Sequence, residues 1–246
     1  MDLYKQVGHG ESANAEISPT LGETISPQLK GQQFREVIRL FLWVWAPILL
    51  LLGLARVVTL NSDISIRQLM QDPTTVLGAP FYVGLISNIG ILLWAAAASI
   101  ALFIPIFLAP FINKEWRLFL LASGLLTTLL LFDDFFLLHD EILPIYLGIS
   151  GKLYGLVYIL LILLYLYRFQ TVIRQSKYIL LLMALGWFAL SAGIDLTHTF
   201  LDNELVKSQT LLLEDGTKLM GIAHWLAYFV VVSQAVCAKL RPGNSV

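Results

Sequence analysis

Charge is scarce in this chain. Asp, Glu, Lys and Arg together make up 13% of its 246 residues, where soluble domains carry about 25%. A surface that poor in charge argues against a water-soluble enzyme and against a disordered polymer. The formal net charge is −1, so there is no basic field of the kind that phosphate backbones demand, and nucleic acid is excluded as a partner. Cysteine is almost missing: Cys237 stands alone, which excludes a disulfide framework and a multi-thiolate metal site. Two-residue alternation, the mark of a membrane barrel, is absent, as is any solenoid-length repeat.

Long apolar runs are what the chain does have. A hydrocarbon core of ~30 Å needs ~20 mostly apolar residues per helix. Six stretches qualify: Val37 to Leu60, Pro80 to Leu108, Leu118 to about His139, Leu153 to Phe169, Tyr178 to Phe200, and about Leu211 to Val236. The expected fold is all-α, a polytopic six-helix transmembrane bundle whose first partner is the lipid bilayer. Residues 1–33 read as a polar, flexible tail, 34–240 as the transmembrane domain and 241–246 as a short C-terminal tail. The first span begins too far from Met1 and runs too long for a cleaved signal peptide, so it reads as a retained anchor. Pro47 and Pro105 are expected to kink or end their spans. Trp43, Trp45, Trp116, Trp187 and Trp225, with Tyr165 and Tyr167, are expected to form an interfacial belt.

Basic residues set the expected orientation. Eleven Lys and Arg fall in the N-terminal flank, loop 2–3, loop 4–5 and the C-terminus, against five on the opposite side. The positive-inside rule then puts both termini in the cytoplasm, and an even number of helices requires that they share a side. Eleven of the 17 acidic residues gather at the other face. Carboxylates weigh little in that rule, so their clustering asks for another cause.

The third span ends LLLFDDFFLLHDEILP. A helix continued through it would place Asp133 with Asp140, and Asp134 with Glu141, because seven residues are nearly two turns. A carboxylate in the hydrocarbon zone costs ~2.5–3.5 kcal/mol, so two in a row are expected to turn inward. On the fifth span Ser191, Asp195, His198 and Asp202 share one stripe. The opposite stripe, Gly186, Ala189 and Gly193, is suited to close approach by a neighbour. On the sixth span Glu214, Thr217, Gly221, His224 and Tyr228 share a broad face, with Lys218 one turn after Glu214. On the second, Gly84, Asn88, Ala95 and Ser99 align, Ser87 sits beside Asn88, and Pro80 suits a first turn. At 1.5 Å per residue, Asp133, Asp134, Asp195, His224 and Asn88 all lie roughly 8–12 Å below the acidic face. One pocket opening to the non-cytoplasmic side is expected to join them.

Three functions fit such a pocket. His139, Asp195, His198 and His224 are suitable ligands for a divalent metal, zinc or else iron or manganese. Asp133, Asp134 or Glu214 would then orient a ligand or act as base, and Ser87 and Asn88 would donate to a developing oxyanion. That is a metal-dependent hydrolase for a membrane-borne amide or ester, a lipid-like or small-molecule substrate. The same carboxylates could instead serve a cation or proton-coupled transporter. The inner halves of the helices offer only Ser99, Ser123, Thr127, Thr128, Ser233 and Gln234 to continue a path. Third, ion pairs from Arg56 or Lys218 to Asp134, Asp195 or Glu214 could simply fix the register of a scaffold or assembly factor.

Ser87, Asp133 or Asp134, His139, His198 and His224 form a set that resembles, at scattered positions, the membrane hydrolase superfamily of alkaline ceramidases and adiponectin receptors. There, Ser, Asp and His from several helices surround a zinc-bound water. The resemblance implies zinc-dependent hydrolysis. The family has one helix more than this chain and an H-x-x-x-H pair on its last helix, where His224 is followed by WLAY.

Overall fold

The computed structural model describes residues 27–149, 151–198 and 204–239. Among them the chain is helical, without strands, and six helices are long and apolar enough to cross a membrane. It divides into two compact units, Met1–Ala79 and Pro80–Val246.

The first unit holds α1 (Pro27–Asn61) and two short helices, α2 (Ile66–Met70) and α3 (Pro73–Leu77). α1 carries Pro47 within its length and leaves its Leu-rich surface exposed. Ser65 starts α2 through a capping box: its hydroxyl accepts the Gln68 N–H while the Gln68 side chain accepts the Ser65 N–H. Arg56 belongs to this unit and is exposed.

The second unit contains the remaining long helices: α4 (Leu85–Phe107), α5 (Lys114–Phe136), α7 (Gly151–Arg174), α8 (Tyr178–His198) and α9 (Glu204–Lys239), with the five-residue α6 (Leu143–Leu147) between α5 and α7. α4 and α5 form an antiparallel pair. Pro110 lies in the 3₁₀ turn Ala109–Phe111 that joins them, and Asn113 caps α5 by accepting the Trp116 N–H at 2.9 Å. α8 and α9 form a second pair, and α9 also packs along α4. Pro80 precedes a turn and is not a first-turn residue, because α4 starts only after Gly84. Pro105 is buried in the last turn of α4.

Two glycines set how close these helices come. A Cβ on Gly124 of α5 would lie 2.5 Å from the Leu102 side chain on α4, and one on Gly221 of α9 would lie 2.5 Å from the Phe188 ring on α8. The stripe Gly186, Ala189 and Gly193, expected to receive a neighbour, is exposed among the described residues, and nothing lies within 4 Å of a Cβ placed on either glycine. α8 approaches α9 through its other face, using Leu181, Ala184, Phe188 and Ser191.

Between the pairs lies an aromatic core of Trp94, Phe119, Tyr165, Trp225, Tyr228 and Phe229. Trp225 and Tyr165 are buried there and are not part of an interfacial belt. The hydroxyls beneath the acidic end serve helix packing. Ser123 Oγ lies 2.7 Å from the Tyr165 hydroxyl on α7. Thr127 accepts the Trp225 indole N–H at 2.9 Å and donates to the Ser123 carbonyl at 2.7 Å.

The close approach of α4 and α5 has a direct test. Gly124→Val is expected to lower stability in detergent by about 1–3 kcal/mol through overpacking. Gly186→Val makes the same change in helix propensity against open space and is expected to cost much less. Thermal unfolding of both variants checks this, and equal losses would refute the packing.

Candidate functional site

Asp133 and Asp134 are neighbours in the last turn of α5, so their side chains diverge by about 100°. Each meets different partners. Both are shielded, with side-chain exposures of 8% and 12%.

Asp133 faces the chain that follows its own helix. α5 does not continue to His139, as the sequence suggested; it ends at Phe136. Leu137 takes a left-handed conformation (φ 52°, ψ 43°) and a π-type turn runs over Leu138–Ile142. A left-handed non-glycine residue costs roughly 1–2 kcal/mol, and the carboxylate just before it offsets that cost. Asp133 Oδ1 accepts the His139 backbone N–H at 3.2 Å, and Oδ2 lies 2.7 Å from His139 Nδ1. The Tyr154 hydroxyl on α7 donates to Oδ1 at 3.1 Å and sits 2.7 Å from the Tyr158 hydroxyl one turn on. The Tyr154 ring lies nearly parallel to the imidazole, 6.1 Å away. The turn also breaks the register expected for Asp133 with Asp140 and for Asp134 with Glu141. Glu141 is exposed, and the Asp140 side chain lies outside the described residues.

Asp134 faces the other way, toward α4 and α9. Its Oδ1 receives Lys218 Nζ at 2.7 Å, and its Oδ2 receives the Trp94 indole N–H at 2.8 Å. Lys218 follows Glu214 by one turn on its own helix, and its ion pair with Asp134 ties α9 to α5. One of the scaffold pairings read from the sequence, Lys218 with Asp134, is therefore present.

A cavity of about 470 Å³ opens between these two arrangements. Its polar lining comprises Asp133, Asp134, His139, Tyr158, Ser191, Asp195, Glu214, Asp215 and Lys218. Its apolar lining comprises Trp94, Leu130, Ile162, Leu185, Phe188, Leu211 and Trp225. Trp94, Phe188 and Trp225 touch one another, with ring centroids 5.6 to 6.3 Å apart, and close the cavity toward the core. Ser191 donates to the Glu214 carbonyl at 3.1 Å, which fixes the register of α8 against α9.

Of the residues singled out from sequence, Asp133, Asp134, His139, Asp195 and Glu214 therefore line one cavity. Ser87 lines a separate small crevice with Gly90, Asp134 and Lys218. Asn88 is exposed and lines neither. His224 lies outside the cavity: its Nδ1 is 2.8 Å from the Met220 carbonyl and its ring stands beside Trp187. The backbone of α8 reaches His198, but that side chain lies outside the described residues, as does Asp202 altogether. Among the described residues no three His, Cys, Asp or Glu side chains converge to hold a metal ion.

Trp94, Tyr154 and Tyr158 were missed. Their signal is faint but real. Two tyrosines stand one turn apart in an aliphatic helix, and a tryptophan stands mid-span, where its N–H needs a partner.

The cross-helix ion pair predicts an asymmetric mutant series. Lys218→Met leaves a shielded carboxylate with only the indole N–H, so about 1–3 kcal/mol of stability is expected to go. Adding Asp134→Asn removes the stranded charge and is expected to restore part of that loss. Denaturant titration of both single variants and the double variant measures the coupling; strict additivity would rule the pair out.

No curated protein and no solved structure matches the chain. Residues 40–232 match a family model described as a domain of unknown function, DUF8692. The match spans four of the six long apolar helices in full and most of the first and the last, together with every residue of the cavity, and the chain belongs to that family.

Proposed function

We propose that the chain is a multi-pass membrane hydrolase, with both termini in the cytoplasm and its cavity open to the opposite side, acting on a membrane-borne amide or ester. One observation carries the reading: an imidazole lining the cavity has its Nδ1 2.7 Å from an oxygen of a shielded carboxylate. A carboxylate beside Nδ1 orients the ring, which suits Nε2 to take a proton from water. The lining supports the substrate class. Its aromatic and aliphatic floor suits an acyl chain, and its polar rim suits a headgroup.

In this reading water attacks the carbonyl carbon as His139 accepts its proton. The imidazolium then passes that proton to the departing nitrogen or oxygen. Asp133 positions His139, and Tyr154 positions Asp133. The donors lining the cavity beside a developing oxyanion are Lys218 and Tyr158, so that role moves to them from Ser87 and Asn88. Asp195 and His198, three residues apart on α8, are the residues that would hold a divalent metal, and zinc, iron or manganese held there would polarise the carbonyl. The transport reading has less support, because Ser123 and Thr127, two of the hydroxyls below the cavity, are engaged between helices and the aromatic floor separates them from it.

Orientation is tested with reporter fusions. Alkaline phosphatase fused after Gly148 is expected to be active and after Val246 inactive; the reverse pattern would invert the assignment. Activity is tested by fatty-acid release from acyl esters and acyl amides in mixed micelles. His139→Gln is expected to lower turnover by about 10²–10⁴-fold in a variant that unfolds at the same temperature. Elemental analysis of the same preparations reads the metal. No release from any substrate by folded protein would end the hydrolase reading.

A further inference from the structure

The opposite end of the second unit holds another cavity, of about 560 Å³. It shares no residue with the acid–base cavity, and its character is reversed. Among the described residues no carboxylate lines it. Its charged lining residues are Lys177 and Lys239, and Asn113, Gln175 and Ser176 add neutral polar groups.

We infer that this cavity binds the headgroup of an anionic phospholipid, with the adjoining part of an acyl chain laid along α9. The polar half is built for a phosphate. Lys177 immediately precedes α8 and Asn113 caps α5, so the first turns of two long helices begin beside it. Lys239 comes from the last turn of α9. Asn113 uses its carboxamide oxygen on the Trp116 N–H, which leaves the donor half of that amide for a ligand. Ser176 is fixed by the Ile173 carbonyl at 2.6 Å and the Tyr228 hydroxyl at 2.8 Å, so the loop carrying Lys177 is anchored to the core.

The other half of the cavity is apolar and explains why a lipid, and not free phosphate, is the occupant. Val231, Val232, Ala235 and Val236 form a wall along α9, with Trp116 and Ile112 facing it. Val232 and Val236 are buried, so the wall reaches into the core and does not merely skirt the surface. A free anion would use the lysines and leave this wall wet. A diacyl phosphate would fill both halves. Lys114, Arg117 and Arg174 lie close by in sequence outside the lining and add to the positive potential at this end.

The test uses the full chain in detergent and native mass spectrometry, with dioleoyl phosphatidylglycerol and dioleoyl phosphatidylcholine as probes. Phosphatidylglycerol is expected to be retained preferentially. Lys177→Gln with Lys239→Gln is expected to lower its retention about tenfold, while Arg117→Gln with Arg174→Gln, the same charge change outside the cavity, leaves it nearly unchanged. Ala235→Trp fills the apolar wall without altering charge and is expected to weaken retention as well, with circular dichroism reporting that each variant stays helical. Equal losses in the double arginine variant and the double lysine variant would reduce the effect to general basicity and overturn the site. Displacement of the lipid by millimolar inorganic phosphate, or no effect of Ala235→Trp, would overturn the lipid in favour of a free anion. None of these outcomes depends on hydrolysis at the other end.

Discussion

Two adjacent carboxylates in the last turn of an apolar helix set the terms for everything around them. A helix turns about 100° per residue, so Asp133 and Asp134 cannot share one partner. Each must be satisfied separately, at a depth where an unpaired carboxylate costs several kcal/mol. Asp134 recruits Lys218 from α9 and Trp94 from α4. Asp133 recruits Tyr154 from α7 and the chain just beyond its own helix. Four elements are thereby drawn to one helix end, and the space left between them is the cavity. α8 joins through Ser191 and the Glu214 carbonyl. The cavity thus follows from how the two charges are satisfied.

The same logic explains the break after Phe136. Had α5 continued, His139 would have advanced along the helix axis, with its backbone N–H committed to a carbonyl one turn back. Leu137 in the left-handed region turns the chain, and the π-type turn brings the His139 N–H and Nδ1 back to the two oxygens of Asp133. π-type turns are over-represented at functional sites. Here the turn converts a residue on the flank of a helix into one lining the cavity. Local strain and a placed imidazole are two aspects of one conformation.

Much of this was legible in the chain itself. Six apolar runs gave the helices, and the cost of buried acids gave the inward turn of Asp133 and Asp134. The side chains that satisfy them were harder to read. Lys218 follows Glu214 by one turn, and local spacing favours that pair; the choice of Asp134 depends on α9 crossing α5, which no local pattern encodes. The stripe Gly186–Ala189–Gly193 has the composition of a packing face, yet Gly221, opposite Phe188, makes the close contact of that helix pair. Small residues permit approach without saying which neighbour arrives. His224 was grouped on one broad face with Glu214, but its ring turns to the Met220 carbonyl and Trp187, while Trp225, the next residue, lines the cavity. The αL residue at Leu137 was invisible because leucine is among the least expected residues there.

The midsection gives the two ends their independence. Ser123, Thr127, Tyr165 and Tyr228 are engaged across helices, and Trp94, Phe119, Trp225 and Phe229 fill the space between. A hydroxyl committed to a neighbouring helix is not available to hold a passing ion, and close-packed aromatic rings leave little room for water. The acidic cavity and the basic one are therefore separate chambers with opposite preferences. Carboxylates and an imidazole at one end suit chemistry on a headgroup, and lysines with helix N-termini at the other suit an anion. Positive charge gathered at one end also orients a chain during insertion, so the residues that would hold an anionic lipid are among those that set which way the helices cross.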